Sequence, residues 1–309
     1  SNFLKNHFQI KDNLIKLKNH TIKSNFKNDK LAIIGAGKIK IQENFDDVKY
    51  NVDLKEEDFK LTSQLILSEL KLNSKEYLKN FITNFDKTTT LKDQKIDISF
   101  NKKQLIINGQ GKIKLDSDYE DIKFKVSKIK NKFNFDTQVD LDQTPFKIDF
   151  LNFIKNDELK TQIKVLGSYE SENSLIFENL SITNKNNKFI LKNIYLDENY
   201  LIKKVDRVNL EFLDNQNKEN KILLKKVSKN KYQITGSSFN ASKLIDNLLI
   251  NRKDNDAKLF KDDLKISLDI KEVFLDNLYL INDLNGNLDI KRNEIYSANI
   301  SGDFDDNNK

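Results

Sequence analysis

Three groups of residues have types and spacing that could do chemistry. The first is "LAIIGAGKIKIQ" (residues 31–42), where an apolar run meets Gly35-Ala36-Gly37 as in a dinucleotide-binding loop. That fingerprint needs G-x-G-x-x-G and then a helix whose N-terminus carries the phosphate. Here Lys40 stands in the third glycine's place, and residues 38–42 alternate polar and apolar, which is a strand. No nucleotide is expected to bind. The second group is the histidine pair, His7 and His20, which has no acidic partner at ligand spacing and reads as solvated surface. The third is Asp283, Asn285, Asn287, Asp289 and Glu294, at positions 1, 3, 5, 7 and 12 of a calcium loop. Leu288 occupies the position that must be glycine, and helical flanks are missing. Asp303, Asp305 and Asp306 add at most a weak cation cluster. The chain has no cysteine, hence no thiolate nucleophile and no thiolate metal site. The expectation is a protein that is not an enzyme and carries no metal and no cofactor.

Composition narrows the classes further. With 21 Phe and 9 Tyr in 309 residues, the chain has the groups that build cores. The net charge of +6 is carried by lysines spread without a block. Such interspersion reads as a solvated surface in a Lys-, Asn- and Ile-rich chain, the alternative being attraction to phosphates of nucleic acid or lipid. No nucleic-acid partner is expected. No apolar run approaches the ~20 residues of a membrane span. The sequence contains no Met, even at position 1, and is read as a piece of a longer protein.

The elements that would hold any site come next. "LIINGQGKIKL" (105–115) repeats the glycine element downstream, Gly109 and Gly111 matching Gly35 and Gly37. The match runs without a gap from 21–67 to 95–141 and pairs Ile22, Phe26, Leu31, Asp47, Val52, Phe59 and Leu67 with their copies. A repeat of this length signals modular architecture. Within each copy apolar residues alternate with polar ones, the period of strands with one apolar and one wetted face. The inward set is Ile39, Ile41, Val48, Tyr50, Val52, Phe59 and Leu61, with Ile113, Leu115, Ile122, Phe124, Val126, Phe133 and Phe135 in the second copy. The paired glycines are expected to be bulges or bends in a curved sheet.

The strand signal continues through Leu175–Ile182, Phe189–Leu196, Val205–Phe212, Leu223–Val227 and Lys231–Thr235, giving about twenty strands at intervals of about ten residues. Pro145 should begin a strand over Phe146–Phe150, and Asn285-Gly286 should turn a hairpin. Two stretches change to helical period: 73–87, with Tyr77, Leu78, Phe81, Ile82 and Phe85 on one stripe, and 240–253, with Leu244, Ile245, Leu248 and Leu249. Both are expected to cap a sheet. The expected organisation is a lead-in segment over 1–20, a first β repeat over 21–72 and a helix with connector over 73–94. A second repeat follows over 95–150, further groove strands over 151–239, a short helix and loop over 240–263, C-terminal strands over 264–302 and a disordered tail over 303–309.

The C-terminal third carries a resemblance. "KYQITGSSFNASKLIDNLL" (231–249) is a strand, a Ser-Phe-Asn step and a short amphipathic helix, and "LKISLDIKEVFLDNLYLINDLNGNLDIKRNEIYSANISGDF" (264–304) adds strands. This looks like the conserved-core segment of AsmA-like bacterial envelope proteins, of the YhdP-like branch, and "ILKNIYLDENYLIKKVDRVNLEF" (190–212) is similar in style. The resemblance implies a mainly β fold, a long curved antiparallel sheet forming a taco-like groove, with the two short helices. It also implies a periplasmic protein anchored in the inner membrane, whose apolar groove moves phospholipids toward the outer membrane. Its partners would be phospholipid acyl chains and components of both membranes, and the inward set would line the groove. Alternation by itself leaves a closed-core structural or assembly β-repeat protein of the cell envelope as the second reading.

Overall fold

A computed structural model describes residues 16–56, 58–73, 81–82, 87–156, 159–170, 174–197, 202–250, 262–276, 278–291 and 294–306. The chain divides into two units, one ending at Thr144 and one beginning at Pro145.

The first unit is an antiparallel meander of eight strands: β1 Lys16–Lys27, β2 Lys30–Lys40, β3 Phe45–Lys55, β4 Asp58–Asn73, β5 Thr88–Asn101, β6 Gln104–Lys114, β7 Tyr119–Ile129 and β8 Lys132–Leu141. The sequence repeat is a four-strand structural repeat, for the ends of β2 and β3 fall at the positions whose copies are the ends of β6 and β7. Its details recur at the same offset. Asn19 and Asp93 both take the left-handed conformation, at φ 54° and 51°, and Glu56 and Lys130 do so at the next tips. The β1–β2 register shifts between Lys18 and Thr21, and the β5–β6 register between Lys92 and Lys95. Each shift is a bulge, which adds a residue to one strand and bends it.

The second unit opens with a small hairpin, β9 Phe146–Ile148 and β10 Phe153–Lys155, joined through a 3-10 turn over Asp149–Leu151. The strand expected over Phe146–Phe150 therefore stops at Ile148. A meander follows: β11 Thr161–Glu170, β12 Ser174–Thr183, β13 Lys188–Leu196, β14 Ile202–Leu213, β15 Glu219–Ser228 and β16 Lys231–Asn240. Helix α1, Ser242–Ile250, then precedes β17 Leu264–Phe274, β18 Tyr279–Lys291 and β19 Glu294–Asp306. Between β16 and β17 the pairing is parallel, because the helical connection carries the chain back to the same end, as parallel neighbours require. Both units are mainly β, with antiparallel pairing in every other neighbour, and neither meander closes on itself.

Several expectations change here. Asn285-Gly286 turns nothing: both lie inside β18, Gly286 pairing with Leu268 on one side and Ile300 on the other. A side chain at Gly286 would collide with the Asn299 carbonyl, so close strand approach explains this glycine. Beside the end of β17 the Asp276 carboxylate instead accepts from the backbone N–H groups of Leu278 and Tyr279 at 2.7 and 2.8 Å, just before β18 begins. β19 extends to Asp306, into the stretch expected to be a disordered tail. Of the two expected helices, 240–253 contains α1, while the stretch 73–87 lies mostly outside the described residues. The loop expected over 251–263 is also largely outside them.

Cores explain the second unit's order. Phe153 packs edge-on to Phe189 and Phe212 at centroid distances of 4.8 and 5.7 Å, so β9–β10 seats an aromatic cluster on β13 and β14. Ala241 and Ile245 at the start of α1 cover Ile222, Ile270 and Val273. Buried Asn240 leads into α1, its backbone N–H donating to Asn220 and its amide to Asp214 and Gln216 at 2.7, 2.6 and 2.9 Å. A third cluster joins Ile194, Val205, Tyr232 and Leu264. Burial pushes the Tyr232 phenol above its usual value, and the Val205 N–H donates to its oxygen at 3.5 Å. A folded-state value above the unfolded one of about 10 supports the fold below that pH and is lost as pH rises through the folded value. Tyr232→Phe is expected to change stability little at pH 8 and to flatten the alkaline loss, as urea midpoints at pH 8 and 11 would show.

Candidate functional site

The strand register of the first unit decides which side chains share a face, since directly paired residues in an antiparallel sheet point the same way. Leu31, Ile33, Gly35 and Gly37 pair with Leu54, Val52, Tyr50 and Val48. Those positions of β3 pair in turn with Phe59, Leu61, Ser63 and Leu65 of β4. Across β5 and β6 the row passes through Ile96, Ile98 and Phe100 to Gly109, Ile107 and Leu105. It ends with Ile122, Phe124 and Val126 on β7 and Phe133, Phe135 and Val139 on β8.

Twelve of the fourteen residues expected to be inward thus stand on one face: Ile39, Val48, Tyr50, Val52, Phe59, Leu61, Ile113, Ile122, Phe124, Val126, Phe133 and Phe135. Val48 and Ile122 are buried, and the other ten are half-buried. Ile41 and Leu115 fall just past β2 and β6, in turns; Ile41 joins Ile113 against a cluster of Leu67, Leu70 and Leu91. The inward set omitted strands β1 and β5. Ile22 and Phe26 on β1 share the face and are 62% and 69% exposed, and Phe100 on β5 packs edge-on to Phe59 at 5.8 Å. The repeat itself held the signal, because Ile22 and Phe26 recur as Ile96 and Phe100.

The glycines belong to this face. Their register with β3 and β7 is unbroken, so they are not the bulges that were expected. A Cβ at Gly35 would strike the Tyr50 ring, and one at Gly109 the Phe124 ring, so each aromatic lies across the backbone of the neighbouring strand. The bulges sit one strand away and explain His20. At Asn19 the chain bulges, and the His20 ring reaches over Gly37 to hydrogen-bond the Lys38 carbonyl at 3.0 Å. In the second repeat Gln94, fully buried, donates to the matching Lys112 carbonyl at 2.8 Å. His20 is therefore part-buried and structural, not a solvated surface group. His7 lies outside the described residues.

Two carboxylates interrupt the apolar face at one end. Asp46 is buried and accepts from the Ser68 backbone N–H and hydroxyl at 2.8 and 2.7 Å. Glu120, at the matching position, accepts from the backbone N–H groups of Asp142, Gln143 and Thr144 at 2.8, 2.9 and 2.6 Å. Both carboxylates satisfy backbone donors where strand pairing stops, the need that buried N–H groups impose.

The reverse face is wetted. Lys38 bridges Asp47 at 3.0 Å and Lys112 bridges Asp121 at 2.8 Å, a pair and its copy in the second repeat. The Asp121 hydrogen bond holds the Lys112 ammonium above its usual value; at so exposed a site the pair adds little stability. A surface concavity on this face is lined by Lys49, Asn51, Thr62, Gln64, Asp97 and Ser99, among others. Among the described residues no three His, Asp or Glu side chains are placed to hold a metal. The calcium-loop positions Asp283, Asn285, Asn287 and Asp289 are strung along β18, an extended strand that cannot gather them around one ion.

Comparison with protein-family models, with curated proteins and with solved structures returns no match to this chain.

Proposed function

We propose that the chain is a segment of a periplasmic protein anchored in the inner membrane, whose apolar β face binds phospholipid acyl chains and conducts them between inner and outer membranes. The observation that carries this reading is the largely apolar row from β1 to β8, interrupted by Ser63, Lys128 and Thr137 and by two carboxylates at one end, and backed by a charged face. Eight strands at about 4.8 Å spacing make that row roughly 34 Å wide, about twice the acyl length of one leaflet of a ~30 Å hydrocarbon core. Each methylene removed from water contributes about 0.8 kcal/mol, enough to retain a lipid. The two repeats present near-identical positions, so an acyl chain can shift from one to the next with little change in energy. The AsmA-like resemblance in the C-terminal third points the same way. Nothing in the site calls for a catalytic step.

Purification without detergent, followed by mass spectrometry of the intact protein and of its organic extract, tests the reading. Near-stoichiometric phospholipid is expected. A folded protein free of lipid would sink the proposal. It would favour the second reading, a structural or assembly β-repeat protein with a closed core. One observation supports that rival: in the second unit α1 and β9–β10 already cover part of the apolar face.

A further inference from the structure

The two repeats share strands, bulges, glycine–aromatic crossings, buried carboxylates and Lys–Asp bridges, yet their hairpin tips differ in charge: mixed in the first repeat, purely basic in the second. In the first repeat the β1–β2 and β3–β4 tips mix Asp29, Glu56, Glu57 and Asp58 with Lys27, Lys30 and Lys55. In the second repeat the β5–β6 and β7–β8 tips put Lys103, Lys130 and Lys132 where the first has Asp29, Glu56 and Asp58, and Asn101, Gln104 and Ile129 where it has the three lysines. Lys102 and Lys128 replace the uncharged Asn28 and Leu54. No acidic residue occurs between 98 and 104 or between 122 and 135. These two tips are neighbours, since Gln104 at the start of β6 pairs with Ile129 at the end of β7. A general excess of lysine would not clear the acids from one pair of tips alone. Away from the tips, the paired Lys38–Asp47 and Lys112–Asp121 bridges stay the same.

Apolar groups are exposed among these lysines. Ile129 stands between Lys128 and Lys130 and is 47% exposed, and Phe100, just before Lys102, is 41% exposed. Lys128 Nζ lies 5.0 Å from the centre of the Phe133 ring. Ammonium groups on long stems beside exposed aliphatic and aromatic side chains suit an interface with anionic headgroups outside and hydrocarbon just beneath. Duplex nucleic acid would use the lysines and leave Ile129 and Phe100 without a role.

We infer that the paired hairpin tips of the second repeat, Lys102–Lys103 and Lys128–Lys132, dock on the surface of an anionic phospholipid bilayer. Charge attraction brings the lysines to the headgroups, and Ile129 and Phe100 enter the boundary beneath them. The inference rests on the tips and does not require that the apolar face carry lipid.

The first repeat supplies the variant that tests it. Changing Lys103→Asp, Lys130→Glu and Lys132→Asp together installs the residues that the same scaffold carries at Asp29, Glu56 and Asp58, so folding is expected to persist. Co-sedimentation is measured with vesicles of phosphatidylcholine alone and of phosphatidylcholine with phosphatidylglycerol. Wild type is expected to bind the anionic vesicles at least tenfold more tightly, with the preference falling as salt rises, and the triple variant to lose it. Equal binding to both vesicles, or a folded variant that keeps the preference, overturns the inference. So does tighter binding of wild type to a short DNA duplex than to anionic vesicles. Mass spectrometry of both proteins keeps the two readings apart. Lipid-free protein that still docks through Lys103, Lys130 and Lys132 would retire acyl-chain transport alone, and lipid-loaded protein indifferent to anionic vesicles would retire docking alone.

Discussion

Phe124→Asp is expected to strip phospholipid from the purified protein while leaving it folded. The Phe124 ring is half-buried and lies across Gly109 on the apolar face, so a carboxylate there puts a charge where acyl chains would pass. In an open face water reaches that carboxylate, and the loss is confined to part of a Phe side chain's burial, about 1–2 kcal/mol. In a closed core the charge would be stranded from water, costing several kcal/mol and unfolding the unit. Urea denaturation and the organic extract separate the two cases. Folded protein with at least a tenfold loss of bound lipid supports transport along the face. Unfolding at Phe124, with Phe26→Asp on the same face and 69% exposed leaving lipid content untouched, would mark the face as plain core.

The largest stability effect is expected at Glu120. This carboxylate is 2% exposed and accepts three backbone N–H groups in succession, from Asp142 to Thr144. Hydrogen bonds to charged groups are worth about 1.5–3 kcal/mol each, and donors left without a partner add their own desolvation penalty. Water entering the gap recovers part of that loss. Glu120→Ala should therefore cost about 3–5 kcal/mol, a fall in Tm of roughly 6–20 °C for a unit of this size. Glu120→Gln keeps the oxygen that serves Gln143 and Thr144 and loses the one that serves Asp142, so its cost should be well under half. Scanning calorimetry of both variants gives the comparison; equal and small shifts would show that the segment holds its backbone without the carboxylate.

Much of the first unit was legible in the residues. Alternation over Val48, Tyr50 and Val52, and its copy over Ile122, Phe124 and Val126, named the face because a strand sends successive side chains to opposite sides whatever its neighbours are. The constant offset between the repeats held through the structure because equal loop lengths keep equal register. Other features depended on neighbours that sequence does not identify. The glycines were expected to bend the sheet, yet Gly35, Gly37 and Gly109 lie beneath rings from the adjacent strand and Gly111 beneath the Gln94 amide. His20 had no partner within its own stretch, because its partner is the Lys38 carbonyl across a bulge. Asp46 looked like any other alternating acid, and only the end of strand pairing at Ser68 made it a buried acceptor. Asn285-Gly286 has the composition of a hairpin turn, and close approach by Ile300 and Asn299 turned it into a mid-strand contact.

The amino-acid sequence by itself determined that this chain is built of amphipathic strands in a duplicated module, with the residue types for an apolar face. Periodicity and repetition are local or self-referential properties, so a single chain displays them in full. Tertiary structure alone decided which strands meet in parallel, where bulges fall, which glycines carry a ring, and that two lysine-bearing tips lie side by side. Each of these depends on the register between segments far apart in the chain, and register is chosen by the free energy of the whole sheet rather than by any one strand.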